Sequence, residues 1–222
     1  MVIAQARNPI IRWEWIIDEW DQIRDALVQH IELTALSVAL GLAVSAVLSA
    51  IALRFRFTAS PITGFTGFLY TIPSVALFGL LVPYFGLSRI TAVLPLTAYT
   101  LLILVTNTLA GFAAVPDSVR DAANGMGLTP ARRILDVEIP LALPYIIAGL
   151  RLAVVSTVGL VTVAAIIGQG GLGSLILDGL QRTFWTPMTI GAILSIVLAL
   201  VLDVAIYAFG RKLTPWARRG RP

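Results

Sequence analysis

The chain has 222 residues, 58% hydrophobic and only 13% charged, with a formal net charge of +4, one histidine and no cysteine. A soluble domain carries about 45–50% apolar and about 25% charged residues, so this composition points to a polytopic membrane protein. Disulfides, thiolate metal sites and a histidine-rich metal centre are excluded. The basic residues collect beside apolar runs, which favours membrane anchoring over nucleic-acid binding.

Taken in chain order, residues 1–30 form a separate N-terminal segment. Trp13, Ile16, Trp20, Ile23 and Leu27 are spaced three and four apart, with Glu14, Asp18, Asp21 and Asp25 mostly on other faces. That pattern predicts an amphipathic helix, and its tryptophans suit a membrane interface. A cleavable leader is not expected, because the stretch is acidic and has no continuous apolar core. The membrane domain is expected over 31–210. Charge-free runs predict spans at Leu33 to Leu53, Ile62 to Gly86, Ile90 to Pro116, Leu152 to Leu177 (entered from about Leu141) and Thr183 to about Gly210. Each is long enough for a helix to cross a bilayer. A basic tail, 211–222, follows.

Five spans put the termini on opposite sides. With the C-terminus inside, the inner segments hold Arg54, Arg56, Arg120, Arg132, Arg133, Arg211, Lys212, Arg218, Arg219 and Arg221; the outer ones hold Arg7, Arg12, Arg24, Arg89 and Arg182. The cationic excess selects N-out, C-in. Pro73 and Pro83 in the second span and Pro95 in the third predict interruptions. "GQGGLG", Gly168 to Gly173, predicts a tight outer turn after the fourth span. Asp203 is an isolated acid in an apolar run, about eight residues from the Arg211–Lys212 end; it reads as a structural or inner-vestibule group. Arg151, well inside the fourth span, is expected to snorkel or to cap a neighbour's carbonyls.

A polar island, 115–140, separates the third and fourth spans. Ser118 is expected to cap a first short helix with Asp121 in support. Gly127 ends it, Thr129 caps a second helix, Pro130 fits its first turn, and Pro140 marks the turn into the fourth span. Two short helices joined at a glycine make a knob held between two spans. The solvated-loop reading and a docking reading stand about level on spacing alone. Nothing in the chain assembles a catalytic constellation: His30 stands alone, and no GxxxxGK[ST] phosphate loop exists.

The spacing Asp121-Ala122-Ala123, three residues, Gly127, nine residues, Val137, one residue, Ile139-Pro140 resembles the EAA motif of binding-protein-dependent ABC importer permeases. Asp, Val and Ile stand where the motif has Glu, Ile and Leu. "HIELTALSVALG", "TIPSVALFGLLVPYFGL" and "AAIIGQGGLGSLILDGL" are similar to the osmoprotectant, or quaternary-amine, branch, whose members import glycine betaine, choline, carnitine and proline betaine.

The resemblance, over about 30–210, implies an all-α, type I ABC importer (MetI-like) permease fold in the cell membrane. It implies that Asp121, Ala122, Ala123 and Gly127, with Arg132, Arg133, Val137, Ile139 and Pro140, form coupling helices for a separate cytoplasmic ATPase. That partner would bind ATP and Mg; the chain itself would carry no cofactor. A second permease subunit, an external solute-binding protein and membrane lipid are the other expected partners, and nucleic acid is not. Ser74, Asn107, Ser156 and Thr157 are candidates for lining the path. Gly168, Gly170, Gly171 and Gly173 are candidates for an outer gate or a binding-protein contact. The alternatives are an importer of amino acids or another betaine-like solute, and a non-transporting scaffold or passive channel.

Overall fold

Ten α-helices account for most of the computed structural model, which describes residues 10–218. They are α1 (Trp13–Asp18), α2 (Trp20–Arg54), α3 (Ala59–Thr71), α4 (Ser74–Phe85), α5 (Arg89–Ala113), α6 (Asp117–Gly125), α7 (Pro130–Arg132), α8 (Ile139–Val163), α9 (Leu172–Gln181) and α10 (Trp185–Leu213). Among the described residues four helical stretches are individually long and apolar enough to cross a membrane: Trp20–Arg54, Arg89–Ala113, Pro130–Ile167 and Trp185–Leu213. A fifth crossing is available only if α3 and α4, bent by 90° at their junction, act as one broken span.

The break falls at Pro73, one of the two prolines expected to interrupt the span at Ile62 to Gly86. Pro73 disfavours helical backbone at Ile72 and cannot donate a main-chain hydrogen bond. The chain therefore stops at Thr71 and restarts at Ser74, where the Leu77 N–H donates to the Pro73 carbonyl at 3.0 Å. Pro83 and Pro95 lie inside α4 and α5 without ending them.

Two boundaries differ from the sequence expectation. The N-terminal amphipathic stretch is not an independent helix: it breaks at Glu19, and everything from Trp20 belongs to the 35-residue α2. Trp13 and Trp20 are exposed while Ile23 is buried, so the expected apolar face is only partly covered within the chain. Trp15 instead meets Phe184 edge-to-face, with ring centroids 5.7 Å apart, and the Arg12 main-chain N–H donates to Thr186 Oγ1 at 3.0 Å. The fourth long helix starts at Ile139, close to the expected entry near Leu141, but ends early: α8 stops at Val163, a short 3₁₀ turn follows over Ala164–Ile167, and α9 begins at Leu172.

The chain divides into two compact units. One comprises residues up to Ala39, Ile72–Thr97 and Val155–Val201; the other comprises Leu40–Thr71, Ala98–Val154 and the chain from Leu202 on. The first has a core of Leu33, Phe78, Ala92, Val93, Leu96, Val161, Ala164 and Ile167. In the second, Ile103, Leu104 and Ala153 are packed with Leu42 and Leu150. Gly149 lets α8 approach α5 so closely that a Cβ there would lie 2.5 Å from the Asn107 Cβ. Small residues at helix contacts serve this purpose where lipid rather than water surrounds the helices. Ile193, Ile196, Val197, Leu200, Val201 and Val204 on α10 are all exposed. In water such a run would be a liability; in a bilayer it is the expected surface.

Candidate functional site

The polar island folds as the knob its local signals describe, with one capping error and one missed helix join. α6 starts at Asp117 with Pro116 at its N-cap and no side-chain cap. The expected Ser118–Asp121 capping box does not form, because Ser118 is already inside the first turn. At the other end Gly127 has φ +77°. The Leu128 N–H donates to the Ala123 carbonyl at 3.1 Å and the Gly127 N–H to the Asn124 carbonyl at 2.9 Å. These two bonds are the Schellman arrangement that satisfies a helix's last carbonyls, and they need a left-handed residue at Gly127. Thr129 then caps α7 as expected: its hydroxyl accepts from the Arg132 N–H at 3.4 Å, with Pro130 next in the first turn.

Pro140 does not turn the chain. Arg133–Glu138 is a π-helical segment that joins α7 to α8 without a break. A π-turn carries one extra residue, which relieves the clash between a proline ring and the carbonyl four residues earlier. The knob is therefore continuous with the long helix after it.

The charges explain why the knob is rigid. Glu138 is 6% exposed. One carboxylate oxygen accepts from Arg133 Nε at 2.9 Å and the other from Arg120 Nε at 3.4 Å. Arg120 also donates to Asp117 at 2.8 Å and to the Phe112 carbonyl, at the end of α5, at 2.6 Å. Arg133 also donates to the Asn124 side chain at 2.8 Å. A buried carboxylate with two guanidinium partners ties α6 to the π-segment and both to α5. Burial of such a group without its partners would be costly.

Of the residues expected at this site, Ala123 is buried (1% exposed) and packs inside the knob, whereas Asp121, Ala122, Gly127 and Arg132 are exposed. Val137, Ile139 and Pro140 are half-buried. Arg133 is committed to Glu138 and Asn124. Met126 (72% exposed) and Leu135 (62%) add apolar surface that the sequence reading did not single out. Glu138 was also missed: it reads as one more charge in a solvated island, and only the fold shows it buried.

The glycine turn is anchored rather than loose. Gly168 and Gly171 have positive φ, +73° and +50°. Gly170 and Gly173 sit against the backbone of Ala165 and Thr162 with no room for a Cβ. A Cβ at Gly171 would lie 2.7 Å from the His30 backbone nitrogen. The Gly171 N–H donates to the Gln29 side-chain oxygen at 3.1 Å. His30 is fully buried; its Nδ1 accepts from the Leu172 N–H at 3.3 Å, which leaves Nε2 to donate to the Val158 carbonyl at 3.1 Å. A single neutral tautomer makes both bonds.

Of the path candidates, Ser74, Ser156 and Thr157 belong to the first unit and Asn107 to the second. Ser74 opens α4 and is half-buried, as is Ser156; Thr157 is 1% exposed. Asn107 donates to the Ile103 carbonyl of its own helix at 2.8 Å and packs on Gly149. Arg151 and Asp203, read separately in the sequence, form one ion pair.

The match to the family of binding-protein-dependent transport system inner membrane components covers residues 37–215. The chain belongs to that family. The osmoprotectant import permease protein OsmW of Salmonella typhimurium is 37% identical over 206 residues, covering 90% of this chain and 96% of that protein. The choline transport system permease protein OpuBB of Bacillus subtilis is 34% identical over 189 residues, covering 84% and 86%. The methionine ABC transporter MetNI in its inward-facing form superposes with a TM-score of 0.70 at 18% identity, covering 92% of this chain and all of the matched one. That last likeness shows the fold: an all-helical, type I ABC importer permease. Family and fold make the chain a multi-pass inner-membrane permease.

Proposed function

We propose that this chain is the membrane-spanning subunit of an ATP-driven importer for osmoprotectants of the glycine betaine, choline, carnitine and proline betaine type. The observation that carries the reading is the 37% identity, over nine-tenths of the chain, to an osmoprotectant import permease. Two such subunits, identical or homologous, enclose the path. The chain runs N-out to C-in through five crossings, with α3 and α4 forming one broken crossing. A separate ATPase binds ATP and Mg, and a separate binding protein delivers solute to the outer face.

The knob supports the coupling part of the proposal. Its exposed Asp121, Ala122, Met126 and Arg132 offer a docking surface, while the Glu138 cluster makes it stiff. Because the π-segment runs into α8 and Arg120 grips the end of α5, a displacement of the knob reaches two long helices at once. ATP drives the cycle only through its differential binding to the two states. A quaternary ammonium is best held by aromatic faces in the binding protein, so the path itself needs little charge.

The test is reconstitution in vesicles with the cognate ATPase and binding protein. ATP-dependent accumulation should appear with at least one of glycine betaine, choline, carnitine or proline betaine. Accumulation of amino acids alone would reassign the cargo, and passive equilibration without accumulation would make the chain a channel.

A further inference from the structure

A second site lies beside the knob. A cavity of about 720 Å³ is walled by Ala50, Leu53, Phe112, Ile134 and Ile139, with no carboxylate in its lining. Four polar side chains break its apolar wall, Thr108 of α5 among them. Ser49 is 2% exposed, and its hydroxyl has no hydrogen-bond partner in the described chain. Arg133 is neutralised by Glu138. Arg54 is different: it is exposed, makes no ion pair among the described residues, and lies with its guanidinium carbon 5.3 Å from the Phe55 ring centroid.

Arg54 belongs to the run Arg54-Phe55-Arg56-Phe57, where the first long apolar helix ends. Phe55 is 47% and Phe57 80% exposed, with ring centroids 6.2 Å apart. Alternating guanidinium and aromatic groups at the end of a span suit the headgroup layer of a membrane: the rings sit among glycerol and acyl groups and the cations meet phosphates. From this juxtaposition of apolar cavity, orphan hydroxyl and basic aromatic rim, we infer that the cavity is a binding site for an anionic phospholipid, with an acyl chain inside and the phosphate held at Arg54.

Charge selects this occupant. A guanidinium offers a planar pair of donors to a phosphate, and the lining supplies no acid to compete. A quaternary ammonium solute would instead meet the Arg54 cation with no carboxylate in the wall to balance it. Because Pro130, Arg133 and Ile134 of the knob form part of the wall, the bound chain braces the knob against the ends of α2 and α5.

The test uses the permease purified with its partner subunits and placed in nanodiscs of phosphatidylcholine with or without phosphatidylglycerol. Retained lipid is quantified by mass spectrometry. The wild type should enrich phosphatidylglycerol. Arg54→Gln should lower the enrichment about fivefold, the loss of about one basic contact, and Arg54→Lys should keep most of it. Ala50→Phe, which fills the cavity, should abolish enrichment without lowering Tm in pure phosphatidylcholine. No enrichment in the wild type, or enrichment untouched by both Arg54→Gln and Ala50→Phe, would overturn the assignment. So would a disulfide between two copies of the Ala50→Cys variant, which would put a second permease subunit where the lipid is placed. The chain contains no other cysteine.

Discussion

Arg151 and Asp203, 52 positions apart on α8 and α10, face each other as a two-pronged pair: Nε to Oδ1 at 2.8 Å and the terminal nitrogen to Oδ2 at 2.7 Å. The Arg151 guanidinium also stacks 4.8 Å from the Tyr207 ring centroid. Arg151 is the one charged residue of α8, Asp203 is the one acid of α10, and the planar fork is what makes the match bidentate. Removing one partner leaves the other charge uncompensated in a poor solvent, whereas removing both does not. Arg151→Leu and Asp203→Leu should therefore each lower Tm in nanodiscs more than the double variant does. A double variant at least as damaging as the sum of the singles would show that the two act independently.

The same reasoning applies to Glu138 at higher burial. Glu138→Gln keeps the shape and removes the charge that holds Arg120 and Arg133. The expected loss of stability is about 3 kcal/mol, the low end for a broken buried pair, since both arginines retain about a quarter of their surface in water (24% and 26%). Arg133→Gln should cost less, because Arg120 still pairs the carboxylate. Thermal unfolding of the two variants in one detergent gives the order, and the reverse order would move the anchor to Arg133.

How much of this was legible in the sequence follows from the range of each interaction. Charge-free runs located the long helices because bilayer length is a local requirement. Gly127, Thr129 and Pro130 drew the knob because capping is settled within a few residues. The bend at Pro73 was signalled, but the apolar run continues through both legs and so read as one crossing. Pro140 was misread as a turn because a π-segment is a backbone adjustment with no residue signature. Arg151–Asp203, the burial of Glu138 and the grip of Gln29 and His30 on the glycine turn are tertiary, spanning 18 to 142 positions. A hint was present: one basic and one acidic residue, each alone in a different apolar run, are natural partners.

Gly171 gives a sharper test of the glycine turn than any polar residue there. Its φ of +50° already disfavours a side chain, and a Cβ would lie 2.7 Å from the His30 backbone nitrogen. At Gly171, ψ is −120°, a mirror-β conformation that glycine alone adopts readily, so Gly171→Ala combines that backbone cost with about 1–3 kcal/mol for overpacking. Gly168→Ala, at φ +73° and ψ +13° with open space around it, should cost only the milder left-handed penalty of about 1–2 kcal/mol. A Tm loss at 171 no greater than at 168 would mean that the His30 contact yields easily.

Gly127 separates the shape of the knob from its surface. No atom lies within 4 Å of a Cβ built there, so a substitution meets only the conformational penalty of φ +77°. Gly127→Ala should cost about 1–2 kcal/mol and Gly127→Asn less, since asparagine tolerates the left-handed region. Ala123, at 1% exposure, is a poor probe of docking, because a charge there would first disrupt the knob. Exposed Ala122 and Met126 are the proper probes. Ala122→Glu and Met126→Glu should leave the unfolding free energy within about 0.5 kcal/mol of wild type, as surface changes do, while abolishing ATP-dependent accumulation. Uptake equal to wild type in both variants would remove the knob from the coupling path, and a matching fall in Tm would trace the loss to folding instead.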